Sequence, residues 1–197
     1  ASPVIAVNTP MGNQPNTVGK LVTKMTYYIE KVEGINEGGR LIVRGPNIML
    51  GYLFHGGDGK YYAPSTDAGQ GWYDTGDIVE INDEGFIKIV GRQKRFAKVA
   101  GEMVSLTQTE ELAKLAYPGH THAAVALPDT KKGEQIVLLS EAKEIERSAL
   151  VQQAKSVQAS ELAIPKRVYP CGEIPLLGSG KINYPALKEM AEELTDS

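Results

Sequence analysis

A lysine near the end of the chain follows a glycine-rich stretch, a combination that can bind phosphate. Residues 175–184 are PLLGSGKINY, with Lys181 directly after Gly-Ser-Gly. A Walker A loop needs a further glycine five residues before the second one, and a hydroxyl residue after the lysine. Pro175 and Ile182 occupy those positions, so this is not a Walker A loop. It is either a solvated turn before a last helix or a flexible turn that brings Lys181 to a phosphate as a point charge.

An aspartate earlier in the chain is a candidate for binding a sugar. Asp77 ends the stretch GWYDTGD, at the start of a predicted strand and just after a Thr-Gly turn. A carboxylate in this position can accept hydrogen bonds from both hydroxyls of a ribose. The alternative is a turn aspartate that satisfies its own backbone. Taken alone, the residues favour that alternative.

A basic segment follows, with four cations within seven residues: Arg92, Lys94, Arg95 and Lys98. If the segment is extended, Arg95 lies on one face, and the other three cations lie on the opposite face with Phe96. The segment is then either a phosphate-binding strand or a solvated hairpin edge protected by lysines. Gly101 either lets a ligand pass close by or simply forms a turn.

The elements that must position these residues form two parts. Residues 1–91 predict short strands and turns without a helix. GDIVEI and GFIKIVG are joined by NDEG, which is typical of a hairpin, GRLIVRG is a further strand, and residues 55–71 predict a long, mobile loop. Residues 92–197 predict the order β-α-β-β-α-β-α, so the fold class is α+β, a β-rich piece followed by a small α+β domain.

The second part contains three predicted helices. Thr107 and Glu110 have the spacing of a capping box at the start of the first. The segment KEIERSALVQQAKSVQASELA predicts the clearest amphipathic helix, and YPALKEMAEEL, with a proline in its first turn, predicts the last. HAAVALP, EQIVLLS and KRVYP predict strands.

Composition excludes several classes of function. The net charge of −3 argues against a general nucleic-acid binder. Cys171 is the single cysteine, which excludes an internal disulfide framework and suits a reducing compartment, and with three scattered histidines it gives no support for a zinc site. Neither a membrane span nor a signal peptide is predicted. Because the sequence begins without methionine, we expect a piece of a longer protein.

Four stretches, taken in order over residues 38–182, resemble the AMP-forming adenylating enzymes: acyl- and aryl-CoA synthetases, adenylation domains and luciferases. GGRLIVRGPNIMLGYL matches the family's G-E-L-x-x-x-G-P-x-x-x-x-G-Y, GWYDTGD matches W-[YFH]-x-T-G-D, GRQKRFAKVAGEMVS matches G-R-x-[DK]-x-x-x-K-x-x-G, and PLLGSGKI matches P-x-x-x-x-G-K. The wording KRFAKVAGEMVSL with GSGK is most similar to one bacterial subgroup, the acyl-[acyl-carrier-protein] synthetase half of the bifunctional 2-acylglycerophosphoethanolamine acyltransferase.

The resemblance implies a division of the chain and a role for each matched residue. Residues 1–91 would be the last, β-rich subdomain of the large adenylating domain, and residues 92–197 the C-terminal lid domain. The implied roles cover both half-reactions: Asp77 and Arg92 bind the nucleotide, Lys94 is the hinge, Lys181 acts in adenylation, Lys98 acts in the thioester half-reaction, and Gly101 leaves room for a phosphopantetheine arm.

The implied reaction activates a fatty acid with ATP and Mg²⁺ to an acyl-adenylate and transfers the acyl group to acyl carrier protein. Coenzyme A is the alternative acceptor, and a non-catalytic docking module for an acidic carrier protein is the alternative function. The family's phosphate loop, magnesium-binding glutamate and acyl pocket would lie before Ala1, so we expect the chain alone to be inactive, with no tightly bound cofactor. The parent would lie at the cytoplasmic face of the bacterial inner membrane.

Three residues depart from the family's pattern: Arg40 stands where glutamate is usual, Met103 where a basic residue is common, and Tyr184 where arginine is frequent. Acyl transfer to a lysophospholipid by this segment is excluded, because that chemistry uses an H-x-x-x-x-D pair. Each histidine, at 55, 120 and 122, is followed five residues later by a residue other than aspartate. In the parent, such a transfer would belong to another domain.

Overall fold

The computed structural model describes residues 4–196 and divides the chain into two compact units, Ala1–Lys94 and Arg95–Ser197. The division falls three residues beyond the predicted one. No α-helix occurs in the described part of the first unit, as predicted. Together the units form a mixed α+β fold with three α-helices among the described residues, which confirms the predicted fold class.

The first unit is made of strands, and these have the following bounds: Ala6–Val7 (β1), Lys20–Leu21 (β2), Thr26–Glu30 (β3), Gly39–Arg44 (β4), Ser65–Thr66 (β5), Gly69–Gln70 (β6), Tyr73–Ile81 (β7) and Ile87–Arg92 (β8). The main sheet is antiparallel in the order β3-β4-β7-β8. Leu41 and Val43 alternate along β4 onto one face, where they pack with Val79 and Ile87.

The predicted hairpin of β7 and β8 is confirmed, and Asn82 explains its turn. The Asn82 side chain accepts a hydrogen bond from the backbone N–H of Phe86 at 2.8 Å, and its carbonyl accepts one from Gly85. Gly85 has φ +83°, a conformation that glycine adopts without a steric penalty. The predicted loop at residues 55–71 contains the short hairpin of β5 and β6.

The second unit alternates strands and helices, with these bounds: Phe96–Val99 (β9), Glu102–Ser105 (β10), Leu106–Ala116 (α1), His122–Asp129 (β11), Gly133–Ser140 (β12), Arg147–Ser156 (α2), Arg167–Pro170 (β13) and Tyr184–Asp196 (α3). Its sheet runs β10-β9-β12-β11, and β13 pairs with β12 in parallel. The predicted strands HAAVALP, EQIVLLS and KRVYP and the predicted last helix are confirmed.

The central strands β11 and β12 are buried on both faces, which explains their nearly continuous apolar sequence. Ala124 and Leu138 face a core closed by α1 and α2. Val125 and Leu139, one residue along each strand, face a second core that contains Leu187 of α3 and its neighbours. The second unit therefore has two helical layers around one sheet, with core residues of its own.

The structure corrects three details of the predicted elements. The helix α1 begins at Leu106 without a side-chain cap, so the capping box of Thr107 and Glu110 is absent. Glu110 instead accepts hydrogen bonds from elsewhere in the unit, described below. The amphipathic segment forms only α2 and a separate 3₁₀ turn, Glu161–Ala163, because Gln158 has φ +54° and ends the helical path.

The third correction concerns the basic segment. A 3₁₀ turn at Gln93–Arg95 interrupts the extended chain, so the predicted alternation from residue 92 to residue 98 is wrong. Alternation holds only within β9, where Ala97 and Val99 are buried and Lys98 is exposed.

Candidate functional site

Asp77 lies beside Arg92 because the two residues are direct partners in the antiparallel register of β7 and β8. The Arg92 Nε lies 2.6 Å from Asp77 Oδ1. The carboxylate side chain is 16% exposed, whereas the arginine side chain is 66% exposed. A register shift between Ile78 and Val79 follows at once, and such irregularities redirect neighbouring side chains. The hairpin thus presents a largely buried acid with an exposed cation at its edge.

The Oδ1 atom of Asp77 is buried and receives no hydrogen bond within the described chain. The contact with Arg92 is therefore an ion pair in which no N–H is aligned on that oxygen. Burial raises the pKa of Asp77, Arg92 opposes this shift, and the nearby charge of Asp74 adds to it. The Arg92 cation compensates the charge of this oxygen, which can still accept a hydrogen bond from a ligand hydroxyl.

The alternative of a turn aspartate applies to a different residue. Asp74 Oδ1 accepts the backbone N–H of Gly76 at 2.8 Å, which is the local turn bond expected of such an aspartate. The backbone N–H of Asp77 donates to Thr75 Oγ1 at 3.0 Å, so its own carboxylate takes no part in the turn. The turn chemistry leaves the Asp77 side chain available for a ligand.

Arg40, noted in the sequence only as a departure, anchors this region. Its guanidinium lies 3.1 Å from Asp74 Oδ2, donates to Gln93 Oε1 at 3.0 Å and pairs with Glu30. The sequence analysis assigned no role to Arg40 or Gln93. The one sequence feature that could have pointed to this network is the arginine at position 40, where the family usually has glutamate.

The predicted hinge residue, Lys94, is exposed and is the last residue of the first unit. Arg95, the first residue of the second unit, has a buried environment instead. Arg95 donates to Glu110 Oε1 at 2.5 Å and to the carbonyl of Ala124 at 2.9 Å. Its guanidinium carbon also lies 3.7 Å from the ring centroid of Tyr184.

We call Arg95, Glu110 and Tyr184 the Arg95 cluster. Glu110 Oε1 also accepts the backbone N–H of Ala124 at 2.9 Å and the Tyr184 hydroxyl at 3.4 Å. Burial raises the pKa of Tyr184, and the charge of Glu110 raises it further, while Arg95 opposes the shift. The cluster joins the start of the second unit to α1, β11 and α3, and sequence reasoning did not find it.

Lys98 and Gly101 meet at the β9–β10 hairpin, in which Lys98 pairs with Met103. Ala100 and Gly101 have φ +53° and +90°, so the turn requires left-handed backbone at both positions. A Cβ added at Gly101 would meet nothing within 4 Å. Turn geometry alone therefore accounts for the glycine, and the space above it is open.

The same hairpin borders a broad basic depression of about 870 Å³. Its lining contains three lysines and one carboxylate: Lys98, Lys131, Lys132 and Glu134. The backbone N–H of Ala100 donates to the carbonyl of Lys132 at 2.9 Å, which holds the two loops together. We call this surface the basic depression.

Lys181 is exposed and directly follows the Gly178–Gly180 turn of a separate hairpin, which is closed by a bridge between Leu176 and Ile182. The N–H of Leu177 donates to the Lys181 carbonyl at 2.7 Å, and the N–H of Gly180 donates to the Leu177 carbonyl at 2.8 Å. These two amides are consumed inside the loop, so they are not aimed at a phosphate as in a P-loop. The lysine side chain is the group this loop offers.

The structure therefore pairs Asp77 with Arg92 and brings Lys98 to Gly101, while Lys181 occupies a hairpin of its own. Within residues 4–196, no group of three His, Cys, Asp or Glu side chains could hold a metal ion. None of the described helices is long and apolar enough to cross a membrane.

Comparison with known proteins gives similar enzymes throughout, although no family profile matches the chain. The chain is 37% identical over 121 residues to 4-coumarate–CoA ligase-like 2 of Arabidopsis thaliana, covering 61% of this chain and 20% of the relative. It is 28% identical over 181 residues to 2-succinylbenzoate–CoA ligase of Staphylococcus epidermidis, covering 92% of this chain and 36% of the relative. It thus spans no more than about a third of these curated relatives.

A solved structure agrees in fold. The o-succinylbenzoate CoA synthetase (MenE) of Bacillus subtilis, in complex with the acyl-adenylate intermediate OSB-AMP, has a TM-score of 0.70 and 23% identity, covering 88% of this chain and 35% of that one. Relatives and fold together support the AMP-forming acyl- and aryl-CoA ligase superfamily. The superfamily motifs quoted from the sequence contain Asp77, Arg92, Lys98 and Lys181.

Proposed function

We propose that this chain is the C-terminal part of an AMP-forming acid–thiol ligase. In the first half-reaction, a fatty acid carboxylate attacks the α-phosphate of ATP, and the bond to the β-phosphate breaks, releasing pyrophosphate. In the second, a thiolate attacks the acyl carbonyl, forming a thioester and releasing AMP. The observation that carries the proposal is the buried Oδ1 of Asp77, which lacks a hydrogen-bond donor beside the Arg92 cation.

Asp77 would accept hydrogen bonds from the ribose hydroxyls of ATP or AMP. Arg92 is paired with Asp77, and its exposed guanidinium can also reach a ribose or phosphate oxygen. ATP supplies the phosphoanhydride bond. Residues 4–196 contain no group of three ligands for a metal ion, and the magnesium-binding glutamate implied by the resemblance would lie before Ala1.

The two lysines would act in different half-reactions. Lys181, exposed beside the turn of its hairpin, would offset the negative charge that develops on the phosphates as pyrophosphate leaves. Lys98 would act in the thioester half-reaction, where the open space above Gly101 would admit a phosphopantetheine arm. Lys94, at the division of the units, would be the hinge between the two orientations.

For the acceptor we propose the phosphopantetheine thiol of acyl carrier protein, with coenzyme A as the alternative. The basic depression, with three lysines against one carboxylate, favours an acidic protein. The names of the curated relatives, which are CoA ligases, favour coenzyme A. If the acceptor is acyl carrier protein, we also propose that the full-length enzyme belongs to the acyltransferase/acyl-carrier-protein synthetase subgroup. Such an enzyme would lie at the cytoplasmic face of the bacterial inner membrane.

The proposal is tested by ATP–pyrophosphate exchange with fatty acid in the full-length enzyme. We expect exchange in the wild type and none in this 197-residue chain. Lys181→Ala should abolish exchange but spare thioester formation from a supplied acyl-adenylate. A wild-type enzyme without exchange would overturn the proposal, and equal loss of both half-reactions in Lys181→Ala would overturn the division of roles.

The acceptor is settled by offering carrier protein and coenzyme A side by side to a supplied adenylate. A second candidate function, a docking module without catalysis, rests on the same basic depression. It predicts that the 197-residue chain alone binds acidic carrier protein and that added salt weakens the binding. Lys131→Glu together with Lys132→Glu should remove this binding.

A further inference from the structure

The Arg95 cluster has no place in the proposed chemistry, yet its cation makes an ion pair, a hydrogen bond to a backbone carbonyl and a contact with an aromatic ring. Arg95 and Glu110 are only 15% and 17% exposed as side chains. Because a buried guanidinium must be paired and hydrogen-bonded, these contacts fix the position of Arg95. The partners lie on three different elements, α1, β11 and α3.

The contact with Tyr184 leads directly to the proposed adenylation lysine. Tyr184 is the first residue of α3 and follows Lys181 by three positions. The two residues between them are held as well: Ile182 bridges to Leu176, and the N–H of Asn183 donates to the carbonyl of Pro175 at 2.8 Å. A displacement of the Tyr184 ring would therefore displace the base of the Lys181 hairpin.

The other lysine is fixed by different contacts. Lys98 lies on β9 between the buried residues Ala97 and Val99, and its backbone N–H donates to Glu134. The register of β9 with β10 holds the same strand from its other side. The loss of the contacts made by Arg95 would leave these anchors in place.

We propose that Arg95 is a positioning residue that holds the Lys181 hairpin in a fixed place relative to the start of the second unit. This role rests on the proposed function. A rotation about the division at Lys94 would be transmitted through Arg95 and Tyr184 to the base of the lysine hairpin. Arg95 does not touch a substrate, and it acts only through Lys181.

The test measures both half-reactions in the full-length enzyme with Arg95→Met. We expect adenylation to fall by about 100-fold, the loss that a displacement of about 1 Å can cause. Thioester formation from a supplied adenylate should change by less than about threefold, since Lys98 keeps its own anchors. Arg95→Lys keeps the charge but loses the planar fork and the stacking, so it should show a smaller loss with the same selectivity.

A matched control is Arg167→Met. Arg167 also binds a tyrosine and α3, through the Tyr169 hydroxyl and the Thr195 carbonyl, both at 3.0 Å, but at the opposite end of that helix. It should leave both half-reactions unchanged. Thermal unfolding of every variant separates a loss of folding from a loss of positioning, and Arg95→Lys decides the question if Arg95→Met does not fold.

A double mutant supplies the readout that a merely structural role would not give. The background is Lys181→Arg, which keeps the positive charge and a residual rate of exchange. If Arg95 acts through Lys181, the fold-loss of adenylation caused by Arg95→Met should be clearly smaller in this background than in the wild type. Multiplicative losses, or equal losses in both half-reactions by folded single variants, would overturn the role of Arg95 alone. A wild-type enzyme without pyrophosphate exchange would overturn the proposed function and this role together.

Discussion

At the scale of single residues, Asp77 and Asp74 show how two acids three positions apart take opposite tasks. Asp74 satisfies the turn and pairs with Arg40, whereas Asp77 is buried with an oxygen that lacks a donor. A largely buried carboxylate with a raised pKa, beside a cation, is a candidate for function.

We therefore predict that Asp77→Asn weakens nucleotide binding without weakening the fold. The raised pKa of Asp77 means that its contribution to stability is fully present below the ordinary value of 3.8 and is lost as the pH rises through the raised value. At pH 7 the ionised carboxylate thus lowers the free energy of unfolding. In urea unfolding of the 197-residue chain at pH 7, the free energy of unfolding of Asp77→Asn should equal or exceed that of the wild type. It should also depend less on pH.

Asp74→Ala is the matched control for that measurement. It removes the bond to Gly76 and the ion pair with Arg40, so it should cost about 1 kcal/mol of stability at pH 7. Nucleotide binding to the full-length enzyme should fall at least about tenfold in Asp77→Asn, the loss of one charge-assisted hydrogen bond. Equal destabilisation by the two variants would mean that Asp77 is structural.

At the scale of elements, the glycines of the Lys181 hairpin have two possible explanations, a required backbone conformation or flexibility of the turn. Gly180 has φ +78°, whereas Gly178 is not among the positive-φ glycines, and a Cβ at either position would meet nothing within 4 Å. If the glycines are present for conformation, only Gly180→Ala should be harmful, costing about 1–2 kcal/mol in this turn. If they are present for flexibility, both substitutions should slow adenylation.

We predict the conformational outcome: Gly180→Ala lowers the rate of ATP–pyrophosphate exchange, and Gly178→Ala leaves it within about twofold of the wild type, since that position bears no left-handed strain. Exchange rates of the two variants in the full-length enzyme, measured together, make the comparison. Equal losses would contradict it and would restore the flexible turn expected from the sequence.

Local sequence patterns predicted most of the strands and helices, but they did not predict which distant side chains form hydrogen bonds. The β7–β8 hairpin followed from alternation and its NDEG turn, because those interactions lie within one short segment. The capping box of Thr107 and Glu110 was wrong, since Glu110 receives donors from Arg95 and Ala124 that only the folded sheet brings near. Tyr184 is 74 positions from Glu110, a separation at which no local pattern operates.

At the scale of the whole molecule, the second unit has the properties of an independent domain. Both of its cores are built from residues beyond position 96. Arg95, its first residue, is bonded to Glu110 of the same unit. Hinged domains that move in catalysis must keep their own structure while they move. The unit's autonomy is therefore a requirement of the proposed mechanism and can be tested without any substrate.

We predict that residues 95–197 fold alone, with one cooperative urea transition and a dispersed NMR spectrum. A chain of residues 96–197 is the matched control, because it keeps β9 and both cores but leaves Glu110 without its guanidinium partner. Removing one partner of a largely buried ion pair is destabilising, here by roughly 1–3 kcal/mol given the partial exposure of both side chains. If 95–197 does not fold, the unit is no autonomous domain. If the two chains are equally stable, Arg95 does not stabilise the second unit. The proposal that Arg95 positions the Lys181 hairpin would then be contradicted.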